Sequence, residues 1–475
     1  MDRYEFVIGL EVHVELLTKT KMFCSCSTEF GNPPNTQVCP VCCGMPGVLP
    51  VINKRAVELA IKTGIIFNSH ISNFCRFARK NYFYPDLPKN YQISQYEEPL
   101  ATGGSLEVNG RKIHFKRIHL EEDAGKLLHS ETSPISYVDF NRSGIPLLEI
   151  VTEPDIRSPE EGEEFLEKLK QILEYLEISD CNMEQGSLRC DANISIRKKG
   201  EKELGVKTEV KNMNSFKSVR KALFFECKRQ IEIIKNGGKI IQETRLWNEK
   251  EEITESMRTK EEAHDYRYFP EPDLVPISID DKWIEEIKKE IGELPEQRKE
   301  RFKTEYNLSD YDAGVLTSEK GIADYFEECV KYYKNPKIIA NWIMSELLSL
   351  TKGKILKKEE IPLKAENFVE ILKLIEEKKI TVSVGKEIFK ESYKTGEIPS
   401  EIVKKKNLMQ IEDESLIEKI AQQVIQENQK AVEDWKKGKE KTIMFLVGQV
   451  MRKTGGKANP DIAKKTLIEH LNKLK

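Results

Sequence analysis

The stretch Ile8-Gly9-Leu10-Glu11-Val12-His13-Val14-Glu15 decides the fold. Apolar Ile8, Leu10, Val12 and Val14 alternate with Gly9, Glu11, His13 and Glu15. A period of two belongs to a β-strand with one buried face, because successive side chains leave a strand on opposite sides. The same spacing sets Glu11 and His13 side by side on the polar face, about 6 to 7 Å apart. Leu188-Arg189-Cys190-Asp191-Ala192-Asn193-Ile194 repeats the pattern and turns Arg189, Asp191 and Asn193 to one side. Leu147-Leu148-Glu149-Ile150 adds a strand with one acid, and His119-Leu120-Glu121-Glu122-Asp123-Ala124-Gly125 adds an acid cluster.

Strand-like runs broken by Gly, Pro and Asn, with a few helices, continue to about Pro276. Beyond Leu294 the periodicity changes. Glu366 to Lys379 and Leu416 to Trp435 place apolar residues at helical spacing among Glu and Lys. The reading is an α+β body followed by a helical remainder. Gly396, Pro399 and the lysines up to Lys406 divide that remainder in two. The expected domains are therefore 1–293, 294–400 and 401–475, the second and third all-helical.

Composition sets limits on what the chain can be. At 475 residues it exceeds one ordinary core, which stops growing near ~250 to 300 residues, so two to four domains are expected. The hydrophobic fraction of 39% against 33% charged residues fits a soluble protein, and no apolar run approaches a membrane span. Acids at Asp2 and Glu5 stand where a secretory signal carries positive charge, which predicts a cytoplasmic protein with no membrane partner. The formal charge of −3 conceals an asymmetry: Lys430 to Lys475 holds twelve Lys or Arg against five Asp or Glu, leaving the rest at −10. A basic tail on an acidic body localises polyanion binding to the tail.

Ten cysteines in a reducing compartment are not a disulfide framework, yet five of them fall between Cys24 and Cys43. Cys24-Ser-Cys26, twelve intervening residues and Cys39-Pro-Val-Cys42 form two chelating pairs, with Gly44 supplying a tight turn. This spacing predicts a structural zinc held by Cys24, Cys26, Cys39 and Cys42. Four thiolates leave no open position, so the ion staples a loop and performs no catalysis. Cys43 is a bystander that can exchange with Cys42.

The strand faces are also open to two readings. Alternation is what the solvated side of any antiparallel strand shows. These faces, however, are rich in carboxylates, His and Arg and poor in Lys, Ser and Thr, and several adjoin Gly or Pro. Carboxylates from several strands of one sheet can converge on magnesium, a hard ion that prefers oxygen and bridges phosphates. No Walker loop or dinucleotide fingerprint is present, and Gly455-Gly456-Lys457 reads as a turn between tail helices. A nucleotide site must then be built from the sheet. Lys80 to Asp86 and His264 to Asp273 place aromatics next to charge, either as packed loop anchors or as a base or ribose site.

Taken together, these segments resemble a known family. Ile8 to Glu15, Arg79-Lys-Asn-Tyr-Phe-Tyr-Pro-Asp86, Tyr91 to Gln95, Glu121 to Lys126, Gly186 to Asn193, Asp265 to Asp273 and Phe445-Leu-Val-Gly-Gln449 are similar to signature segments of the B subunits of aspartyl/glutamyl-tRNA amidotransferases. The resemblance runs from end to end. It implies a catalytic body like that of glutamine synthetase, a central helical domain, and a helical tail shared with a small free-standing family. It also implies a reaction in which ATP phosphorylates the side chain of a misacylated Glu-tRNA or Asp-tRNA, and ammonia then attacks the acyl phosphate. The ammonia would come from a separate amidase, the A subunit, with a small C subunit joining the two.

For that chemistry the expected magnesium ligands are Glu11, His13 and Glu122, followed closely by Asp191 and Glu149, all five counted as catalytic. Arg189 and Lys126 are the expected phosphate contacts. Lys436, Lys437, Arg452, Lys453 and Lys457 are the expected tRNA contacts of the tail. Two competing readings are a zinc-containing tRNA-binding protein without catalysis and a self-contained ligase that makes its own ammonia. The first leaves the carboxylate faces unexplained, and the second needs an amidase nucleophile that the sequence does not display.

Overall fold

A computed structural model of the chain describes residues 3–130, 133–259, 263–351, 357–409, 414–436, 439, 441–455 and 457–473. The chain separates into two compact units, Met1–Leu294 and Pro295–Lys475.

The first unit is built on a ten-stranded sheet. Its centre is four antiparallel strands in the spatial order Leu188–Lys198, Tyr4–Glu15, Pro146–Thr152 and Arg111–Glu122. The N-terminal strand thus lies in the middle of the sheet. On its outer side Thr208–Lys211 pairs antiparallel with Leu188–Lys198, and Glu243–Asn248 then pairs parallel with Thr208–Lys211. Ile8, Leu10, Val12 and Val14 are fully buried, as the alternation requires. They share one hydrophobic core with Phe165, Leu166 and Leu169 of the Pro159–Tyr175 helix and Val219, Ala222 and Leu223 of the Phe216–Lys235 helix. Both helices begin conventionally, with Ser158 and Ser215 accepting hydrogen bonds from backbone N–H groups of the first turn.

The opposite, polar face meets a second, three-stranded sheet of Phe269–Pro270, Ala78–Asn81 and Tyr91–Ser94. Gln92 Nε2 donates to the backbone oxygen of Glu122 at 2.8 Å, and Ser94 Oγ donates to Glu121 at 3.1 Å. These bonds fix the small sheet at the end of the Arg111–Glu122 strand. The site lies where the two sheets meet.

The second unit is helical and holds two hydrophobic clusters. One runs from Phe302 to Val403 and the other from Ile417 to Leu471. Gly396 ends the Val382–Thr395 helix at φ +74, a left-handed conformation that glycine adopts freely. Pro399 opens the next short helix, whose Ile402 and Val403 still belong to the first cluster. The stretch 416–435 is two helices, Glu414–Glu427 and Gln429–Lys436, interrupted at Asn428. Among the described residues no helix is long and apolar enough to cross a membrane.

Candidate active site and metal centres

Antiparallel register determines which side chains share the polar face. Glu11 lies opposite Asp191, His13 opposite both Arg189 and Glu149, and Glu149 opposite His119. Residues directly opposite one another point to the same side. Arg117, His119 and Glu121 therefore join the face, while Glu122 leaves it.

Three ligand-type side chains converge at its centre. His13, Glu121 and Glu149 each offer an atom within 4.8 Å of the others. His13 Nε2 is 3.7 Å from Glu121 and 3.5 Å from Glu149. His119 Nε2 supports them from beside, 3.1 Å from Glu149. Burial pulls the His13 imidazolium down, but Glu149, Glu121 and Asp191 more than reverse this, and it is pushed up to about 9. Burial likewise opposes the charge of Glu149, which His119 and His13 hold well below the usual carboxylate range. Two carboxylates converging with an imidazole could hold a hard cation.

The expected residues fall into three groups. His13 and Glu149 are in the cluster. Glu11 and Asp191 lie on the same face but are engaged elsewhere: Asn193 donates to Glu11 at 2.7 Å, and Lys211 is ion-paired to Asp191. Glu122 lies outside the cluster, because it accepts from Ile93 N at 3.0 Å and from Lys89 Nζ at 2.6 Å on the other side of the strand.

Arg189 is committed to Asp123, which its guanidinium meets at 2.9 Å, with Arg142 3.6 Å away. Asp123 shares its corner with Glu15, whose carboxyl is pushed up to about 8 by burial and by Asp123 itself. Lys126 is exposed and, with Arg142 and Glu15, lines a cavity of about 500 Å³.

Sequence reasoning missed Glu121, His119, Arg117 and Lys80. Parity along the Arg111–Glu122 strand would have found the first three once one register was known. Lys80 arrives from the small sheet. It pairs with Gln92 in register, and its ammonium lies 4.9 Å from the Tyr266 ring and 5.9 Å from the Tyr82 ring. Burial opposes its charge, yet Tyr268, Glu121 and Glu149 facing it hold the ammonium above its ordinary range.

The second cluster is Cys24, Cys26, Cys39 and Cys42, again with one atom each within 4.8 Å of the others. The second pair is wound into a knuckle: Cys43 N donates to Cys39 O, and Met45 N to Pro40 O, both at 3.0 Å. Cys39 N donates to the Cys42 sulfur at 3.2 Å, and Lys21, only 1% exposed, lies 3.7 Å from that sulfur. Hydrogen bonding from Cys24, against burial and with help from Cys39 N and Lys21, brings the Cys42 thiol down to about 4. Burial pushes Cys26 up to about 11. Gly44 closes the knuckle at φ +65, where a Cβ would stand 2.4 Å from Lys89 Cγ. Four sulfurs with no oxygen donor suit a tetrahedral, borderline-soft ion.

Residues 6–285 match the family described as the GatB/GatE catalytic domain, and residues 324–471 match the family described as the GatB domain. The chain belongs to the GatB family. A curated relative from Caldicellulosiruptor bescii is 57% identical over 99% of this chain and 100% of its own length. A relative from Carboxydothermus hydrogenoformans is 56% identical over the whole of both chains. One from Thermodesulfovibrio yellowstonii is 57% identical over 99% of each. All three are named as the B subunit of aspartyl/glutamyl-tRNA(Asn/Gln) amidotransferase.

In the tail, Lys441, Met444, Phe445, Gly448 and Arg452 are exposed along the Thr442–Lys453 helix and its start, at spacings that place Lys441, Phe445, Gly448 and Arg452 on one face. Lys436 is exposed as well. Lys453 is ion-paired with Glu427 at 2.6 Å, Lys457 is partly buried, and Lys437 lies outside the described residues.

Proposed function

We infer that the chain performs the carboxylate-activating half of tRNA-dependent amidation, as the B subunit of a carbon–nitrogen ligase. One observation carries this reading: His13, Glu121 and Glu149 converge on the polar face of a sheet in a chain of this family. In the reaction, a side-chain oxygen of tRNA-linked Glu or Asp attacks the γ-phosphorus of ATP. The bond to ADP breaks and an acyl phosphate forms. Ammonia then attacks the acyl carbon, and inorganic phosphate leaves with the proton, giving Gln-tRNA(Gln) or Asn-tRNA(Asn).

Magnesium held by His13, Glu121 and Glu149, with Glu11 and Asp191 at its margin, would neutralise phosphate charge during the transfer. The chain's residues do the rest: Arg189 and Arg142 hold the neighbouring Asp123, and the small sheet closes over the face and excludes water, protecting a hydrolysable intermediate. Zinc in the four-cysteine site would order the loop that presses on Lys89.

Ammonia and recognition are assigned to partners and to the tail. Outside the 24–43 loop every cysteine is buried, so no reactive thiol offers a glutaminase nucleophile. On this reading a separate amidase, the A subunit, supplies ammonia, with the small C subunit joining the two, in the cytoplasm. The exposed face of Lys441, Phe445, Gly448 and Arg452, with Lys436, suits the body of a tRNA: cations meet phosphates, and an aromatic ring offers a stacking surface.

The test supplies the assembled enzyme with misacylated tRNA and ATP labelled at the γ-phosphorus, in the absence of ammonia. ADP release that depends on tRNA, together with a side-chain hydroxamate that hydroxylamine yields only when ATP is present, is expected. Amidation without any ATP-dependent side-chain hydroxamate would overturn the proposed activation step.

A further inference from the structure

The side chain of Lys80 has no hydrogen bond or ion pair among the described residues, although it is partly buried against the charged cluster. Its register partner Gln92 and the next residue on that face, Ser94, are bonded to Glu122 O and Glu121, so the small sheet aims Lys80 at the same spot. Tyr82, Tyr266 and Tyr268 wall it in, with Tyr268 stacked on Tyr96 at 4.2 Å. Arg117 stands on the polar face two residues before His119 and faces Glu121, Glu149 and Tyr268. It donates to Gln95 O at 2.6 Å, but its Nε is buried without a partner.

Charge balance gives this arrangement a direction. A divalent cation on His13, Glu121 and Glu149 cancels both carboxylates. Lys211 already cancels Asp191. Lys80 and Arg117, which face those same carboxylates, are then two partly buried cations with no ion-pair partner of their own among the described residues, and a buried charge without a counter-ion is costly. The loaded site therefore calls for an anion at Lys80.

We propose that Lys80 is a catalytic residue whose ammonium, with Arg117 on the same cluster, receives the oxygens of the phosphoryl group as it passes from ATP to the tRNA-linked carboxylate. The proposal rests on the activation chemistry given above. In that step the carboxylate oxygen bonds to phosphorus, the bond from phosphorus to the ADP oxygen breaks, and ADP keeps the electron pair. The proton on Lys80 does not move. Its contribution is positive charge placed where the equatorial oxygens spread theirs.

The experiment measures the affinity of the assembled enzyme for ADP and for ADP with aluminium fluoride, a mimic of the phosphoryl group in transfer, in magnesium. Lys80→Met and Lys80→Arg are compared with the unmodified enzyme. Lys80→Met is expected to bind ADP within about twofold of the original, to lose about tenfold or more for the mimic, and to lower kcat by about 100-fold. The KM for misacylated tRNA should stay unchanged, and Lys80→Arg should recover part of the loss. An unmodified enzyme that binds the mimic no more tightly than ADP would refute the phosphoryl-transfer reading itself. If it binds the mimic tightly and Lys80→Met does so equally, or if ADP and mimic weaken together, the assignment of Lys80 is wrong. Should Lys80→Met fail to fold, an unimpaired or uniformly weakened Lys80→Arg leads to the same rejection.

Discussion

Glu121 and Glu122 are neighbours in the chain and serve opposite sides of one strand. Glu121 faces His13 at 3.7 Å, whereas Glu122 is bonded to Lys89 at 2.6 Å behind the sheet. Glu121→Gln is therefore expected to raise the magnesium concentration needed for half-maximal ADP release and to lower kcat by about 100-fold or more. Glu122→Gln should leave the magnesium dependence where it was and cost stability instead, roughly 3 to 5 kcal/mol, because Lys89 is left buried without its partner. Magnesium titrations beside thermal melts separate the two, and identical profiles would contradict the division of labour.

The knuckle leads to a metal analysis. The purified chain is expected to contain one zinc, and Cys24→Ser or a strong chelator should lower the melting temperature. ADP release should survive in the protein that stays folded, since a four-sulfur site has no open position for chemistry. A zinc-free chain of unchanged stability would remove the staple from the account.

Acid stability should report on Glu226, a fully buried carboxylate. Burial pushes its carboxyl up, and Arg229, Gln230 and Thr208 more than offset this, so it sits below the ordinary range. A carboxylate depressed in the folded state adds stability above its unfolded pKa and loses it as pH falls through the folded value. Glu226→Gln should cost about 3 kcal/mol at neutral pH and flatten the loss of stability below about pH 4.5. Denaturant midpoints measured from pH 7 to pH 3 would show it; parallel curves would not fit.

For the tail, Arg452→Ala and Phe445→Ala are expected to weaken tRNA binding in different ways. Losing a phosphate contact should reduce the salt slope by about 1, whereas losing a stacking ring should cost about 1 to 3 kcal/mol at every salt concentration. Activity should fall through KM, because uniform binding is lost. Affinity measured across a salt series gives both numbers.

Much of this was legible beforehand because strand alternation is a local property. Ile8 to Glu15 showed which four residues are buried, and the cysteine spacing showed which four sulfurs meet. Register is not local. Nothing near Glu122 states whether it or Glu121 faces His13, since that depends on pairing with Pro146 and Leu147. The commitments of Asp191 to Lys211 and of Arg189 to Asp123 were hidden for the same reason. Lys80 lies in a segment whose sequence reads equally as a packed loop anchor or as a base or ribose site, because its place over the cluster is set by a separate sheet.

The position of Tyr4–Glu15 between Pro146–Thr152 and Leu188–Lys198 has a consequence for how the protein is born. Tyr4–Glu15 leaves the ribosome well before either of the strands that flank it. At ~5 to 20 residues per second, His13 waits roughly 7 to 27 s for Glu149 to be made. Throughout that time Ile8, Leu10, Val12 and Val14 have no sheet to cover them. Pairings this distant in sequence are also the slow ones to form. Newly made chains are thus most exposed to aggregation, and most in need of a chaperone, while the strand that carries His13 is still unpaired.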